Sequence, residues 1–88
     1  MYNNTSMIPK KTLSVSASAA QEAVCIDTHG RECMLKSDGA EVYFKTNPQV
    51  SDSQAYVISA GEIFRFCGIG YFKAKQDTEL ICVMFETL

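Results

Sequence analysis

Beginning at Thr12, apolar and polar residues alternate along most of the chain and are interrupted at short intervals by turn-forming pairs. A period of two sends successive side chains to opposite faces of a pleated strand, so the pattern predicts half-buried β-strands rather than helices. Residues 12–18 read Thr-Leu-Ser-Val-Ser-Ala-Ser and put Leu13, Val15 and Ala17 on one face. Residues 19–22 are the one helix-tolerant patch, too short to nucleate a helix unaided, and are expected to form a connection. Further strands are expected at 23–27, 31–36, 40–46, 55–59, 63–67, 71–75 and 79–85. In them Cys33 and Leu35, Val42 and Phe44, Phe64 and Phe66, and Phe72 and Ala74 share the inward positions. The last strand differs, because Ile81, Val83 and Phe85 alternate with Leu80, Cys82 and Met84 and leave both faces apolar. Such a strand is either internal to a sandwich or covered by another subunit.

The breaks set the expected topology. Asp38-Gly39 is the strongest turn signal, since a type I′ turn needs the positive φ that glycine adopts cheaply, and it predicts a hairpin between the third and fourth strands. Thr28-His29-Gly30 and Gly68-Ile69-Gly70 are expected to reverse the chain, and residues 47–54, with Pro48, form the longest polar loop. About eight short strands with this spacing predict an all-β protein, a single small antiparallel β-sandwich or jelly-roll-like barrel. Residues 1–11 lack alternation and read as a flexible N-terminal arm, leaving 12–88 as the single β domain.

Composition narrows the functional classes. A chain of 88 residues is one domain, and its small core leaves a thin margin over chain entropy, which favours stabilisation by self-association. Eight basic against ten acidic residues give a net charge of -2, without the basic excess that nucleic-acid binding requires. No apolar run approaches the roughly 18 residues of a membrane helix. Lys10 and Lys11 followed by Leu13 to Ala20 imitate a signal peptide, but only Leu13 and Val15 in that stretch are large and apolar, and three serines interrupt it. Cys25, Cys33, Cys67 and Cys82 each sit in an apolar run, as in Val24-Cys25-Ile26, and are expected to be reduced and buried.

Catalytic chemistry finds little to work with. The single histidine, His29, lies in a polar Asp-Thr-His-Gly stretch that reads as an exposed turn, and no Cys-x-x-Cys pair supplies zinc spacing. No cofactor or metal is expected. Gly68-Ile69-Gly70 lacks the third glycine and following helix of a phosphate-binding loop. Asp27, Glu32, Glu41, Glu62, Asp77 and Glu79 fall at outward or turn positions, where a solvated charge is the default. The sequence therefore points to a binding or structural role and not to an enzyme. Tyr43 and Tyr71, flanked by Lys45, Lys73 and Lys75, are candidates for an aromatic and basic contact surface, against the simpler reading of ordinary strand surface. The apolar last strand adds Leu80 and Met84 as candidate contact residues.

The order of these features resembles the small all-β virion structural proteins of tailed bacteriophages. The matching parts are Leu13-Ser14-Val15-Ser16-Ala17-Ser18, Arg31-Glu32-Cys33-Met34-Leu35, Asp38-Gly39-Ala40-Glu41-Val42-Tyr43-Phe44, Tyr56-Val57-Ile58-Ser59-Ala60-Gly61-Glu62 and Thr78-Glu79-Leu80-Ile81-Cys82-Val83-Met84. The resemblance implies a capsid decoration or cement protein, or the base of a head or tail fibre. It implies a homo-oligomer, with a trimer the favoured count, whose partner is the major capsid protein or another virion protein. The location it implies is the virion, after synthesis in the host cytoplasm. In that setting Tyr2, Met7, Ile8, Lys10 and Lys11 of the arm are expected to dock on a neighbour, the apolar three as anchors and the lysines through charge. Two other classes remain open. A cupin-like ligand-binding barrel is suggested by Ser59-Ala60-Gly61-Glu62 before Phe64 and Phe66, although cupins place two or more histidines in the barrel. A carbohydrate-binding module would use Tyr43 and Tyr71.

Overall fold

The computed structural model describes residues 7–18 and 22–87, with side chains at 15–18 and 22–85. The protein is all-β, and its described residues form six strands in a single antiparallel sheet. They are β1 (Met7–Ala17), β2 (Val24–Ser37), β3 (Val42–Lys45), β4 (Tyr56–Ile58), β5 (Phe64–Ala74) and β6 (Thr78–Thr87), and one 3-10 turn (Asp52–Gln54) precedes β4. The spatial order is β1-β6-β2-β5-β3-β4.

Six strands replace the expected eight because two of the sequence breaks lie inside strands. At Thr28-His29-Gly30 the chain does not reverse. β2 continues, and its register against β5 jumps from Asp27↔Ile69 to Glu32↔Cys67. His29 at φ 53° and Gly30 at φ 82° absorb the extra residues in the left-handed region, and the Asp27 carboxylate accepts the His29 N–H at 2.8 Å. Thr28 is fully buried, and its hydroxyl accepts the Gly68 N–H at 2.7 Å, satisfying a donor that has no ladder partner at the irregularity.

The second break bends β5 instead of ending it. Phe66 and Phe72 lie six positions apart on this strand, about 20 Å if it were straight, yet their ring centroids are 5.1 Å apart. Phe44 makes the same point from β3. It is registered opposite Phe72, and its ring also lies 4.7 Å from Phe64, at the far end of β5. Gly68, at φ 109°, and Gly70 permit the bend. A Cβ on Gly70 would stand 2.7 Å from Phe44 Cε1 and 2.8 Å from Phe72 Cε1.

The bent sheet closes over its own inner face, so one sheet does the work expected of a two-sheet sandwich. Ala17, Cys33, Leu35, Leu80, Cys82 and Met84 from one half and Ile26, Val42, Ile58, Phe72 and Ala74 from the other form one buried cluster. The inward positions expected at Cys33, Leu35, Val42, Phe72 and Ala74 are all occupied as read, and Phe44, Phe64 and Phe66 pack against that cluster half-buried. β6 runs between β1 and β2, which accounts for its apolar inner face.

Three further expectations are corrected. The hairpin at Asp38-Gly39 is absent, because β5 lies between β2 and β3. The positive-φ glycines are Gly30, Gly61 and Gly68, so Gly39 is not in a type I′ turn. Ser37 instead shapes that connection: it is buried, and its hydroxyl donates to the Ala40 carbonyl at 2.6 Å and meets Thr78 Oγ1 at 3.1 Å. Finally, the first strand begins at Met7 and not Thr12. Residues 7–11 pair with β6, with a register shift between Pro9 and Lys11, while residues 1–6 of the expected arm lie outside the described residues. The backbone edge of β6 recruits this segment whether or not its side chains alternate. Pro9, Lys10 and Lys11 are residue types that discourage pairing at an open sheet edge.

Candidate functional site

The outer face of the first half-sheet carries an apolar stripe on its internal strands. Leu80, at 0% exposure, and Met84, at 7%, point into the core and are not contact residues, which corrects the sequence reading. Their neighbours Ile81, Val83 and Phe85 alternate to the outer side and are half-buried there. Met34 of β2 lies directly opposite Val83 and extends the stripe across the strand boundary. On its other side Met34 faces Arg65 of β5, whose guanidinium reaches the Glu32 carboxylate at 3.3 Å. The lesson of Leu80 and Met84 is one of parity. The sequence identified a two-faced strand, and only the sheet could say which set is covered.

The outer face of the second half carries tyrosines and lysines that are largely engaged, together with Val57 of β4, which lies opposite Tyr43 and is 40% exposed. Tyr43 is opposite Lys73 and Tyr71 opposite Lys45, and both tyrosines are half-buried. Lys75 Nζ lies 5.7 Å from the Tyr43 ring centroid and donates to Glu41 at 2.9 Å. The Glu41 contact and its charge push the Lys75 ammonium above the ordinary lysine range, with Tyr43 adding to it. Lys45 is turned away from the tyrosines to the 46–55 loop, donating to the Val50 carbonyl at 2.7 Å and Asp52 at 2.8 Å. Tyr2 lies outside the described residues, and Met7, Ile8, Lys10 and Lys11 are placed by backbone alone, in β1.

A third surface was not anticipated. At one end of the bend the inner face opens, and Tyr56, Phe64, Phe66, Phe44 and Phe72 form a continuous run of rings. Tyr56 stacks on Phe64 at 5.5 Å with 24° between planes, and Phe64 on Phe66 at 6.2 Å with 23°. Tyr56 is 52% exposed. Its hydroxyl donates to Glu62 Oε2 at 2.9 Å, and the Ser59 N–H donates to Oε1 of the same carboxylate at 2.9 Å. Those two bonds, the backbone one first, hold the Glu62 carboxyl below the ordinary glutamate range. The carboxylate in turn raises the Tyr56 phenol. Beside the rings lies an open pocket of about 300 Å³, lined by Phe44, Lys45, Thr46, Val50, Gln54 and Tyr56. Phe44, Phe64, Phe66 and Phe72 were legible as inward residues, but their assembly with Tyr56 depends on β5 bending at Gly68 and Gly70 while continuing as one strand, where the glycines alone read as a reversal.

The remaining polar features are simple. A larger open cleft of about 510 Å³ is lined by Ser16, Asp38, Asp77, Thr78 and Glu79 among others, and Ser16 Oγ donates to Glu79 at 2.6 Å. Among the described residues no three His, Cys, Asp or Glu side chains converge to hold a metal ion. His29 is exposed in the β2 irregularity, with Nδ1 3.7 Å from Asp27. All four cysteines are free thiols. Cys33 and Cys82 are buried, but Cys25 and Cys67 are exposed, because their strand positions face outward; the expectation that all four are buried is corrected. The hydrogen bond to Cys33 and burial raise the Cys82 thiol far above the ordinary range. Comparison with protein-family models, with curated proteins and with solved structures found no match to the chain.

Proposed function

We propose that the protein is a non-enzymatic virion structural protein, self-associating and docking on a capsid surface as a decoration or cement protein. The observation that carries this reading is the outer stripe of Met34, Ile81, Val83 and Phe85. It occupies internal strands of the sheet, where a free-standing antiparallel sheet would normally turn polar residues to water. Its β5 flank is charged, with Arg65 and Glu32 paired there, which is the polar rim that borders the apolar centre of a protein interface. The order of sequence features resembling phage virion proteins supplies the partner and the favoured trimer. A core confined to one small bent sheet adds a reason for burial against neighbours.

Sedimentation velocity across the micromolar range, followed by co-sedimentation with capsid particles, tests this. The expected result is an oligomer that pellets with capsids. A Val83→Lys variant should remain folded yet be monomeric and unbound, since sealing an unpaired ammonium in an interface costs several kcal/mol. A wild-type monomer that ignores capsids would end the reading.

A further inference from the structure

We infer that the aromatic mouth around Tyr56 is a binding site for a neutral pyranose sugar, whose C–H face stacks on the open side of the Tyr56 ring. The site lies on the inner face of the sheet and is separate from the outer stripe used for self-association. It therefore stands or falls independently of the virion reading.

Three observations converge on this ligand class. The first is a fixed platform. Tyr56 has one side against Phe64, and with half of the residue exposed it presents the opposite side to solvent. Exposed tyrosines usually sample several rotamers, but this one is held at both ends, by the Phe64–Phe66 stack behind it and by the Glu62 carboxylate at its hydroxyl. A platform ordered beforehand does not lose rotamer entropy when a ligand arrives. The electron-rich ring face attracts the weakly positive C–H bonds of a sugar.

The second observation is the polar rim. Gln54 supplies both amide donor and acceptor, and Thr46 a hydroxyl, on the walls of the pocket that Tyr56 lines. These are the group types that read equatorial hydroxyls around a ring. The third is the state of the charges. Lys45 alone among the lining residues is charged, and it is committed to Val50 and Asp52. Nearby, Glu62 has each oxygen engaged by one donor. The pocket thus offers no free cation for a phosphate or carboxylate. It is about 300 Å³ and open, at the small end for ligand sites, which suits one or two sugar rings bound weakly. In an oligomer such weak sites add through avidity.

The test is a 15N-HSQC titration of the full chain with maltotriose, cellotriose and chitotriose, each to 20 mM, alongside a proline-rich decapeptide. At least one sugar should shift the Thr46, Gln54, Tyr56 and Phe64 amides with a millimolar dissociation constant. Tyr56→Ala should weaken that binding more than tenfold, while Tyr43→Ala on the opposite face leaves it unchanged. Should Tyr56→Ala perturb the spectrum as a whole, Gln54→Ala serves instead, with an expected loss of threefold or more. Absence of shifts with all three sugars overturns the inference. So do sugar shifts that survive both substitutions at the mouth, and so does a response to the peptide alone, which would make the mouth a peptide groove.

Discussion

Replacing Gly70 by alanine probes the bend that organises the whole molecule. The backbone at Gly70 is outside the left-handed region, so the substitution is not barred by conformation. The cost is steric: the new methyl carbon would sit 2.7 Å from Phe44 Cε1, 2.8 Å from Phe72 Cε1 and 3.0 Å from Phe72 Cζ. Phe72 is fully buried and cannot swing away, and Phe44 is held between Phe64 and Phe66. Overpacking of this kind costs about 1–3 kcal/mol, whereas the stiffer unfolded chain returns about 0.4–1 kcal/mol. The net loss is about 1–2 kcal/mol, which for a domain of this size lowers Tm by roughly 5–15 °C. Thermal and urea unfolding followed by circular dichroism give the value directly. Gly39→Ala is the control, because its methyl would meet only Thr78 Oγ1 at 3.8 Å, and it should leave Tm within a degree or two. A Gly70→Ala protein as stable as the parent would refute the argument, showing that the Phe44 and Phe72 rings are not tightly packed across this glycine.

Other expectations follow from the same geometry. Thr28→Val keeps the shape but removes the acceptor of the half-buried Gly68 N–H, so stability should drop by about 1 kcal/mol, measured by urea denaturation. Ellman titration of the reduced protein should count two thiols in the native state, Cys25 and Cys67, and the other two only in denaturant. Glu62 has its folded pKa depressed, so the Tyr56 clamp is intact at neutral pH and weakens as pH falls through that depressed value, below the ordinary glutamate range. The Tyr56 ring resonances should report this transition in an acid titration, and their failure to move with Glu62 ionisation would contradict the clamp. In alkali, the Tyr56 phenol should ionise above the ordinary tyrosine range by absorbance at 295 nm, and Glu62→Gln should lower it.

Period-two alternation was enough to establish that this is an all-β chain and which residues of a strand share a face, because side-chain parity along a strand is a local property. Hence Cys33, Leu35, Val42, Phe72 and Ala74 were legible as core, and Arg65 as outward, before any strand had a neighbour. Local signals failed wherever the outcome depended on a distant partner. Gly30 and Gly68 announce unusual backbone in either case, but whether positive φ serves a reversal or an irregularity within a continuing strand is decided by what pairs alongside. For β2 and β5 the partner is each other, and the gain in backbone pairing over both halves outweighs the turn preference. The same dependence drew residues 7–11 into β1, kept β3 from pairing with β2, and chose Ile81, Val83 and Phe85 over Leu80 and Met84 as the outer residues of β6. It also built the aromatic mouth, since Tyr56 and Phe64 meet only because β5 folds back at Gly68 and Gly70. Sequence fixes the parity of each strand; long-range pairing and the bend of a single sheet decide which faces remain exposed, and therefore where this protein can bind.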